Sequence, residues 1–262
     1  MRLEVLSHPP SAAPPRTPLL FVHGAYVGAW CWEEHFLPWF AARGFPAHAV
    51  SLRGHGASSG REELHRYGLA DYAEDVARAV ALLDAPPVLI GHSMGALVVQ
   101  KYLERGGRAA AVVLACPVPG YGLMPATMAL AWTRPALFLG IQSLAAGGGA
   151  PLAVLSEAMF AGRLEPERLA RYFRRMQRES RRALMDMAGL GLPQPWLARR
   201  PATLVLGASR DVLIPPLHAQ AAAALSGAEY ELLEGLGHAV MLDEGWERAA
   251  GEILDWLDAR GL

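Results

Sequence analysis

The stretch that decides the fold reads Val-Leu-Ile-Gly-His-Ser-Met-Gly-Ala-Leu-Val-Val-Gln over residues 88–100. Its apolar start leads into a Gly-x-Ser-x-Gly turn, and a helical pattern follows. A strand, a tight turn and a helix in this order lift the hydroxyl of Ser93 clear of the sheet. Gly91 and Gly95 leave room for the turn and for close helix packing. The pattern therefore predicts Ser93 as a nucleophile, with Gly91 and Gly95 as its structural support.

Similar apolar runs recur on both sides of this stretch, and most end in glycine or proline. They are apolar on both faces, as buried strands of a parallel sheet are, and an edge strand is expected over residues 3–6. Segments of helical periodicity lie between them, notably at residues 69–83 and 246–257. This alternation predicts an α/β fold with a mostly parallel sheet and helices on both faces. The runs are residues 19–22, 47–52, 88–90, 111–114, 203–206 and 229–233.

The alternation stops between residues 118 and 196, where no convincing strand pattern occurs. The first half of this segment is almost free of charge, with Arg134 as its isolated charged residue. Residues 169–187 place apolar side chains on one helical stripe. We therefore expect a helical cap, 118–196, inserted between two parts of the α/β core, 1–117 and 197–262.

A serine nucleophile needs a base within hydrogen-bond reach and a carboxylate that orients the base. Asp211 comes shortly after the apolar run 203–206, and His238 comes after the run 229–233. Loops at the carboxyl ends of parallel strands carry such groups, and the order serine, acid, histidine is the one that this turn type accompanies. We predict Asp211 as the acid and His238 as the base. The structural alternatives are a helix cap for Asp211 and a turn residue for His238.

Acyl transfer also needs two N–H donors aimed at the developing oxyanion. The first predicted parallel strand ends in His23-Gly24-Ala25, where Gly24 permits close approach of the backbone. We predict the backbone N–H groups of Ala25 and Met94 as the donors, with Gly24 as structural support. His23 is expected to brace the loop. His92, adjacent to the nucleophile on a sharp turn, is expected to point elsewhere.

Taken together, these motifs resemble the α/β-hydrolase superfamily over the whole chain apart from the cap. The resemblance implies a serine hydrolase of the esterase or lipase kind, and we expect neither a cofactor nor a metal. It is specific for the superfamily but not for a substrate. Arg53 and His55 are expected to hold neighbouring loops in place. The motifs are His23-Gly24-Ala25, Arg53-Gly54-His55-Gly56-Ala57-Ser58, Gly91-His92-Ser93-Met94-Gly95, Asp211 and Gly237-His238.

Residues 23–32 also resemble the plant methylesterase and hydroxynitrile lyase branch of the superfamily. The lyases have threonine at the position of Gly24 and lysine at that of Ala239, and both departures favour ester hydrolysis. Haloalkane dehalogenases and epoxide hydrolases use aspartate as nucleophile, which Ser93 disfavours. Carbon–carbon bond hydrolases and cofactor-free haloperoxidases usually have glycine where this chain has Ala96, a weak argument against both.

The composition limits the classes of partner molecule and the compartment that are expected for this chain. The 24 basic and 25 acidic residues nearly cancel, which argues against nucleic acid. Cys31 and Cys116 form no metal-type cluster, and a disulfide between them stays open. The N-terminus has no apolar core of signal-peptide length, so a cytoplasmic location is expected. A transmembrane segment is not expected, because Arg134, Pro135 and residues 147–149 interrupt the apolar part of the cap.

The cap indicates the kind of acyl group. Residues 118–160 are apolar nearly all round, which leaves surface to line a pocket or to touch a lipid surface transiently. We therefore expect a small-molecule apolar ester, such as a medium-chain acyl ester; a cap that only packs on the core is the alternative. Residues 163–182, with eight arginines and three glutamates, are expected to form a solvated face.

Two further functions remain open. One is hydrolysis of a carbon–carbon, lactone or thioester bond by the same three residues. The other is a weakly catalytic ligand receptor that keeps the fold. The sequence does not indicate an oligomeric state.

Overall fold

The computed structural model describes residues 1–11, 15–194 and 201–262. One sheet has the strand order β1-β3-β2-β4-β5-β6-β7, where β1 is Glu4–His8, β2 is Leu19–Val22, β3 is Ala47–Ser51, β4 is Val88–His92, β5 is Ala111–Ala115, β6 is Thr203–Ala208 and β7 is Glu229–Leu233. Only β1 is antiparallel to its neighbour; the remaining pairs are parallel. The predicted mostly parallel sheet is confirmed, including the edge strand near the N-terminus.

The helices of the described ranges alternate with these strands until β5. In chain order they are α1 (Trp30–Glu33), α2 (Phe36–Ala41), α3 (Leu69–Val80), α4 (Met94–Glu104), α5 (Met124–Thr133), α6 (Pro135–Ala145), α7 (Leu152–Met159), α8 (Pro166–Arg175), α9 (Arg181–Met185), α10 (Pro216–Ser226) and α11 (Trp246–Asp258). A 3₁₀-helix covers Arg61–Arg66, and a π-helical turn covers Asp186–Leu190.

Alternate side chains of the central strands enter two separate cores, one on each face of the sheet. In β2, Leu19 and Phe21 belong to the core that α1, α2 and α11 cover. Leu20 and Val22 belong to the core that α3, α4 and α10 cover. All four side chains are fully buried, because a strand with helices on both faces has no solvent side. Helices on both faces are therefore confirmed.

The edge strand β7 differs from the buried pattern that its apolar run predicts. Glu229, Glu231 and Leu232 are exposed, and only Leu233 is buried. Because β7 ends the sheet, fewer helices cover it. Its position still matters, since the loop that follows it carries His238.

We call residues 116–194, which follow β5 and contain α5 to α9, the helical segment; the structure describes no strand in it. The helical content agrees with a cap, and β6 resumes the sheet at Thr203. The division into core and cap remains a prediction, and its boundary at residues 196–197 lies outside the described residues. In the described part of the chain, no helix is both long and apolar enough to cross a bilayer.

The prediction of one continuous helical stripe over residues 169–187 is wrong. Helix α8 ends at Arg175, and α9 begins only at Arg181. Between them the chain is extended, and the Gln177 N–H donates to the Tyr26 carbonyl at 2.9 Å. Contacts to a distant loop therefore override the local helical pattern.

Candidate active site

Ser93 lies on the turn between β4 and α4, at the carboxyl edge of the sheet. Its backbone has φ 52° and ψ −116°, a conformation that non-glycine residues rarely adopt. The turn is held from both sides: the Ser93 N–H donates to the Ala115 carbonyl at 3.0 Å, and the Ser93 carbonyl accepts from Ala96 at 3.1 Å. Such strain persists only where the surroundings enforce it, as at an exposed nucleophile.

The neighbouring glycines permit contacts that no side chain would allow. A Cβ on Gly95 would lie 2.4 Å from the Val22 carbonyl oxygen, and one on Gly91 would lie 2.6 Å from the Gly95 carbonyl oxygen. A Cβ on Gly24 would lie 2.8 Å from Nδ1 of His92. Helix α4 therefore approaches β2 and β4, and the loop after β2 approaches β4, only because all three positions are glycine.

Asp211 and His238 meet, although 27 positions separate them along the chain. Nδ1 of His238 lies 2.7 Å from Oδ2 of Asp211, and both side chains are almost fully buried. The other carboxylate oxygen, Oδ1, accepts from the N–H groups of Leu213 and Ile214, at 2.8 Å each. Because two backbone donors fix Oδ1, Oδ2 is left to accept the Nδ1–H of His238. This tautomer leaves Nε2 free to take a proton.

Ser93 and His238 line the same cavity. Among the residues that the structure describes, no hydrogen bond joins the Ser93 hydroxyl to the His238 ring. Hydrogen bonds of this kind often form only when substrate is bound.

His92 does not compete with His238 as a base. Its Nε2–H donates to the His238 carbonyl at 2.9 Å. Burial, followed by the nearby His238 ring, lowers the pKa of His92 well below its ordinary value. His92 therefore stays neutral and holds the backbone of His238.

The expected oxyanion donors flank Ser93: Ala25 lies in the loop after β2, and Met94 is the first residue of α4. In the described part of the chain, neither the Ala25 N–H nor the Met94 N–H donates to another protein group. His23 braces the loop after β2, as expected. Its Nδ1–H donates to the Gly24 carbonyl at 2.7 Å, while its Nε2 accepts from the Leu52 N–H at 3.0 Å. Burial, with a further contribution from a second histidine, lowers the pKa of His23 to about 3. His23 is therefore neutral.

Asp243 has a different role from the one its position indicates. An aspartate just ahead of a helix ordinarily serves as one of its exposed N-terminal charges, but Asp243 is buried and precedes α11. Its Oδ2 accepts from the Gly237 N–H at 2.8 Å and from the Ala161 N–H at 3.0 Å. Asp243 thus connects the loop that carries His238 to the helical segment. No local sequence pattern predicts this contact, because its partners are distant along the chain.

Cys116 adds a third ionisable group behind the pair. Its sulfur and the ligand atoms of Asp211 and His238 lie within 4.8 Å of one another, close enough for a metal ion. Burial, and then the Asp211 carboxylate, raises the pKa of the Cys116 thiol well above its ordinary value. A metal ligand would have to be the thiolate, and N–H donors already engage both oxygens of Asp211. The donor set therefore fits a hydrogen-bonded cluster better than a metal centre. Cys116 and Cys31 are both free and buried.

The cavity in front of Ser93 has a volume of about 500 Å³ and a mostly apolar lining. Arg181 is the only side chain with a permanent charge among its described lining residues. The helical segment supplies much of the wall, and Ala25 lies where the cavity reaches the loop after β2. Apolar lining residues include Leu130, Phe138, Ile141, Ala158, Leu213 and Ile214.

A larger depression, of about 990 Å³, lies at the opposite edge of the sheet. Residues next to the amino ends of the strands line it, among them Pro18, Pro46 and Ala110. In open α/β sheets, ligands bind outside the carboxyl ends of the strands. We therefore place the candidate site in the smaller cavity.

Comparison with known proteins gives a family match over most of the chain. Residues 19–252 match the model described as "Alpha/beta hydrolase family". The chain is similar in structure to an esterase from Exiguobacterium antarcticum, with a TM-score of 0.75 and 16% identity, over 98% of this chain and 95% of that one. At this identity the likeness concerns the fold alone.

Two curated relatives are similar in sequence over a shorter region. A non-heme haloperoxidase of Rhodococcus erythropolis is 35% identical over 105 residues, which cover 39% of this chain and 37% of that protein. A rice protein (Oryza sativa subsp. indica) named "Probable esterase PIR7A" is 37% identical over 108 residues, 39% of this chain and 40% of that protein. The chain thus matches about two fifths of the length of these relatives.

Proposed function

We propose that this chain, which belongs to the alpha/beta hydrolase family, hydrolyses a carboxylic ester through an acyl-enzyme on Ser93. The observation that carries the proposal is the contact of 2.7 Å between His238 Nδ1 and Asp211 Oδ2, beside a cavity that Ser93 also lines. A carboxylate in this position fixes the imidazole tautomer and stabilises the imidazolium that forms during attack.

The proposed reaction has two halves. In the first, Ser93 Oγ attacks the ester carbonyl carbon while Nε2 of His238 takes the hydroxyl proton. The N–H groups of Ala25 and Met94 stabilise the oxyanion, and collapse of the tetrahedral intermediate breaks the bond to the alcohol, which receives the proton from His238. In the second half, water attacks the acyl-enzyme with His238 as base, and the acid leaves as Ser93 regains its proton.

The proposed substrate is a small apolar ester with a medium-chain acyl group. Its support is the cavity of about 500 Å³, whose wall is formed largely by apolar side chains of the helical segment. Each buried methylene contributes about 0.8 kcal/mol, so an acyl chain that reaches into this cavity is favoured over acetyl. Arg181, the one permanently charged side chain among the lining residues that the structure describes, is exposed, and the rest of that lining is mostly apolar.

Two experiments test the proposal together. A fluorophosphonate probe is expected to label wild type and not Ser93→Ala, and a series of p-nitrophenyl esters is expected to show kcat/KM rising from acetate to octanoate. Wild type that does not label, or Ser93→Ala that labels equally, would overturn the nucleophile. Matched lactone, thioester and carbon–carbon substrates identify the bond: faster turnover of one of them would replace the ester by that substrate.

A transient contact with a lipid surface is a further proposal. Its support is an apolar stripe on α5, where Met124, Met128 and Trp132 follow one another at intervals of four residues. Their exposed fractions are 50%, 67% and 89%. A cytoplasmic location is likewise proposed, and the two free thiols agree with a reducing compartment.

A further inference from the structure

A buried carboxylate joins the helical segment to the glycine loop that follows β2. Glu179 lies between α8 and α9, and its side chain is fully buried. Its Oε2 accepts from the Tyr26 backbone N–H at 3.1 Å and from Nε2 of His55 at 3.0 Å. Its Oε1 accepts from the Tyr72 hydroxyl at 3.0 Å and from the Ser180 N–H at 2.6 Å. Four donors from four parts of the chain thus converge on one carboxylate.

Glu179 and His55 form a buried ion pair. Nδ1 of His55 faces the Arg53 carbonyl at 3.1 Å while Nε2 faces Glu179, so both ring nitrogens must carry hydrogen. Burial alone would lower the pKa of His55, but the Glu179 carboxylate together with the Arg53 carbonyl outweighs it and the pKa is raised. Burial alone would raise the pKa of Glu179, but His55 together with the N–H groups of Ser180 and Tyr26 outweighs it and the pKa is lowered.

The pair acts on Tyr26, whose backbone is left-handed with φ 67°. L-residues rarely adopt this conformation without support. The Tyr26 N–H is bound by Glu179, and its carbonyl accepts from the Gln177 N–H at 2.9 Å. The Gln177 side chain is itself anchored: its Nε2 donates to the Gly54 carbonyl at 2.8 Å, and its Oε1 accepts from the Gly56 N–H at 2.9 Å. Residues 177–179 therefore hold both polar backbone groups of Tyr26.

Ala25 lies between two fixed peptides. His23 binds the Gly24 carbonyl, and in a planar trans peptide the next N–H, that of Ala25, points the opposite way. Ala25 lines the cavity, whereas the following N–H, of Tyr26, is turned to Glu179. The orientation of the Ala25 N–H is thus set by His23 on one side and by Glu179 on the other.

We propose that Glu179 is a positioning residue for the oxyanion donor: acting through Tyr26, it holds the Ala25 N–H in its working orientation and makes that donor depend on the docked helical segment. The inference rests on the proposed function, because a fixed oxyanion donor matters only if Ser93 performs acyl transfer. Glu179 does not touch the substrate.

The test is Glu179→Gln, which keeps the shape of the side chain but removes the charge; whichever way the amide turns, its NH₂ group faces a backbone donor, that of Tyr26 or that of Ser180. We expect kcat for a p-nitrophenyl ester to fall about 10- to 100-fold, the size of effect that misplacing a reacting group by about 1 Å produces, while KM stays within about threefold. The affinity for a trifluoromethyl ketone, which forms an oxyanion on Ser93, is expected to fall by the same factor as kcat/KM.

Glu157→Gln is the matched control. It makes the same chemical change in the same helical segment, but Glu157 lies on α7 and forms an exposed ion pair with Arg134, and we expect wild-type values. His55→Gln removes the positive partner of Glu179 from a different loop. We expect it to lower kcat less than Glu179→Gln does, again with KM nearly unchanged. It carries the test if Glu179→Gln does not fold.

The outcomes separate the two claims. If wild type hydrolyses esters through Ser93 but the folded variants keep kcat and ketone affinity within about threefold of wild type, the positioning role is wrong and the proposed function stands. A lower melting temperature without loss of ketone affinity would leave Glu179 a purely structural residue and also overturn the positioning role. Wild type without Ser93-dependent hydrolysis would overturn both.

Discussion

The substitution Asp211→Asn tests the orientation of the base, because the structure determines how asparagine must sit. The N–H groups of Leu213 and Ile214 both donate to Oδ1, so the amide oxygen must take that place. The amide NH₂ then faces Nδ1 of His238, which lies 2.7 Å from Oδ2. Nδ1 becomes an acceptor, the ring proton moves to Nε2, and no lone pair is left to receive the Ser93 proton.

This wrong tautomer is expected to lower kcat about 10⁴-fold, equivalent to about 5 kcal/mol of barrier. The assay is kcat and KM for a p-nitrophenyl ester, with circular dichroism and melting temperature to verify the fold. Asp255→Asn, at an exposed position of α11, is the control and is expected to behave as wild type. A folded Asp211→Asn variant with kcat within tenfold of wild type would show that Asp211 does not set the tautomer of His238.

Three further predictions concern the surroundings of this pair. Asp243→Ala leaves the Gly237 and Ala161 N–H groups without their acceptor. The free energy of unfolding in urea is expected to fall by about 1–3 kcal/mol for each group, and an unchanged value would contradict this. Ala158→Phe fills part of the cavity. Because each buried methylene of the acyl chain contributes about 0.8 kcal/mol, the ratio of kcat/KM for the octanoate to that for the acetate is expected to fall at least about tenfold. An unchanged ratio would show that acyl chains bind elsewhere. The pKa of His55 is raised above its ordinary value of 6.5 in the folded state, so the contribution of protonated His55 to the free energy of unfolding is complete below about pH 6.5 and is lost as the pH rises through the folded pKa. The free energy of unfolding, measured from about pH 6 to about pH 9, is expected to show this loss in wild type and to lack it in Glu179→Gln. The same pH dependence in both proteins would contradict this prediction.

The sheet could be predicted from the sequence because its strands are decided locally. The run at residues 19–22 is apolar on both faces, and the structure buries alternate side chains in two cores. The same holds for the turn at Ser93, whose glycines are required by contacts of less than 3 Å to the adjacent backbone. Local pattern and tertiary structure agree at these positions.

Residues 176–180 could not be predicted, because distant contacts decide their structure. Their apolar spacing favours a helix, yet the Gln177 N–H is committed to the Tyr26 carbonyl. Glu179 stands in an arginine-rich segment and looks like a solvated charge, but the structure buries it fully. Asp243 is similar, since its partners at residues 161 and 237 are set by tertiary structure. Nothing in the amino-acid pattern distinguishes these buried carboxylates from exposed ones.

Trapping the acyl-enzyme tests the role of Ser93 directly. Wild-type protein mixed with p-nitrophenyl octanoate and quenched in acid within the first turnover is digested, and its peptides are weighed by mass spectrometry. We expect one added octanoyl group on the peptide that contains Ser93 and none in the Ser93→Ala variant. Rapid ester hydrolysis with the acyl group on another residue, or with undiminished turnover in Ser93→Ala, would contradict this role of Ser93.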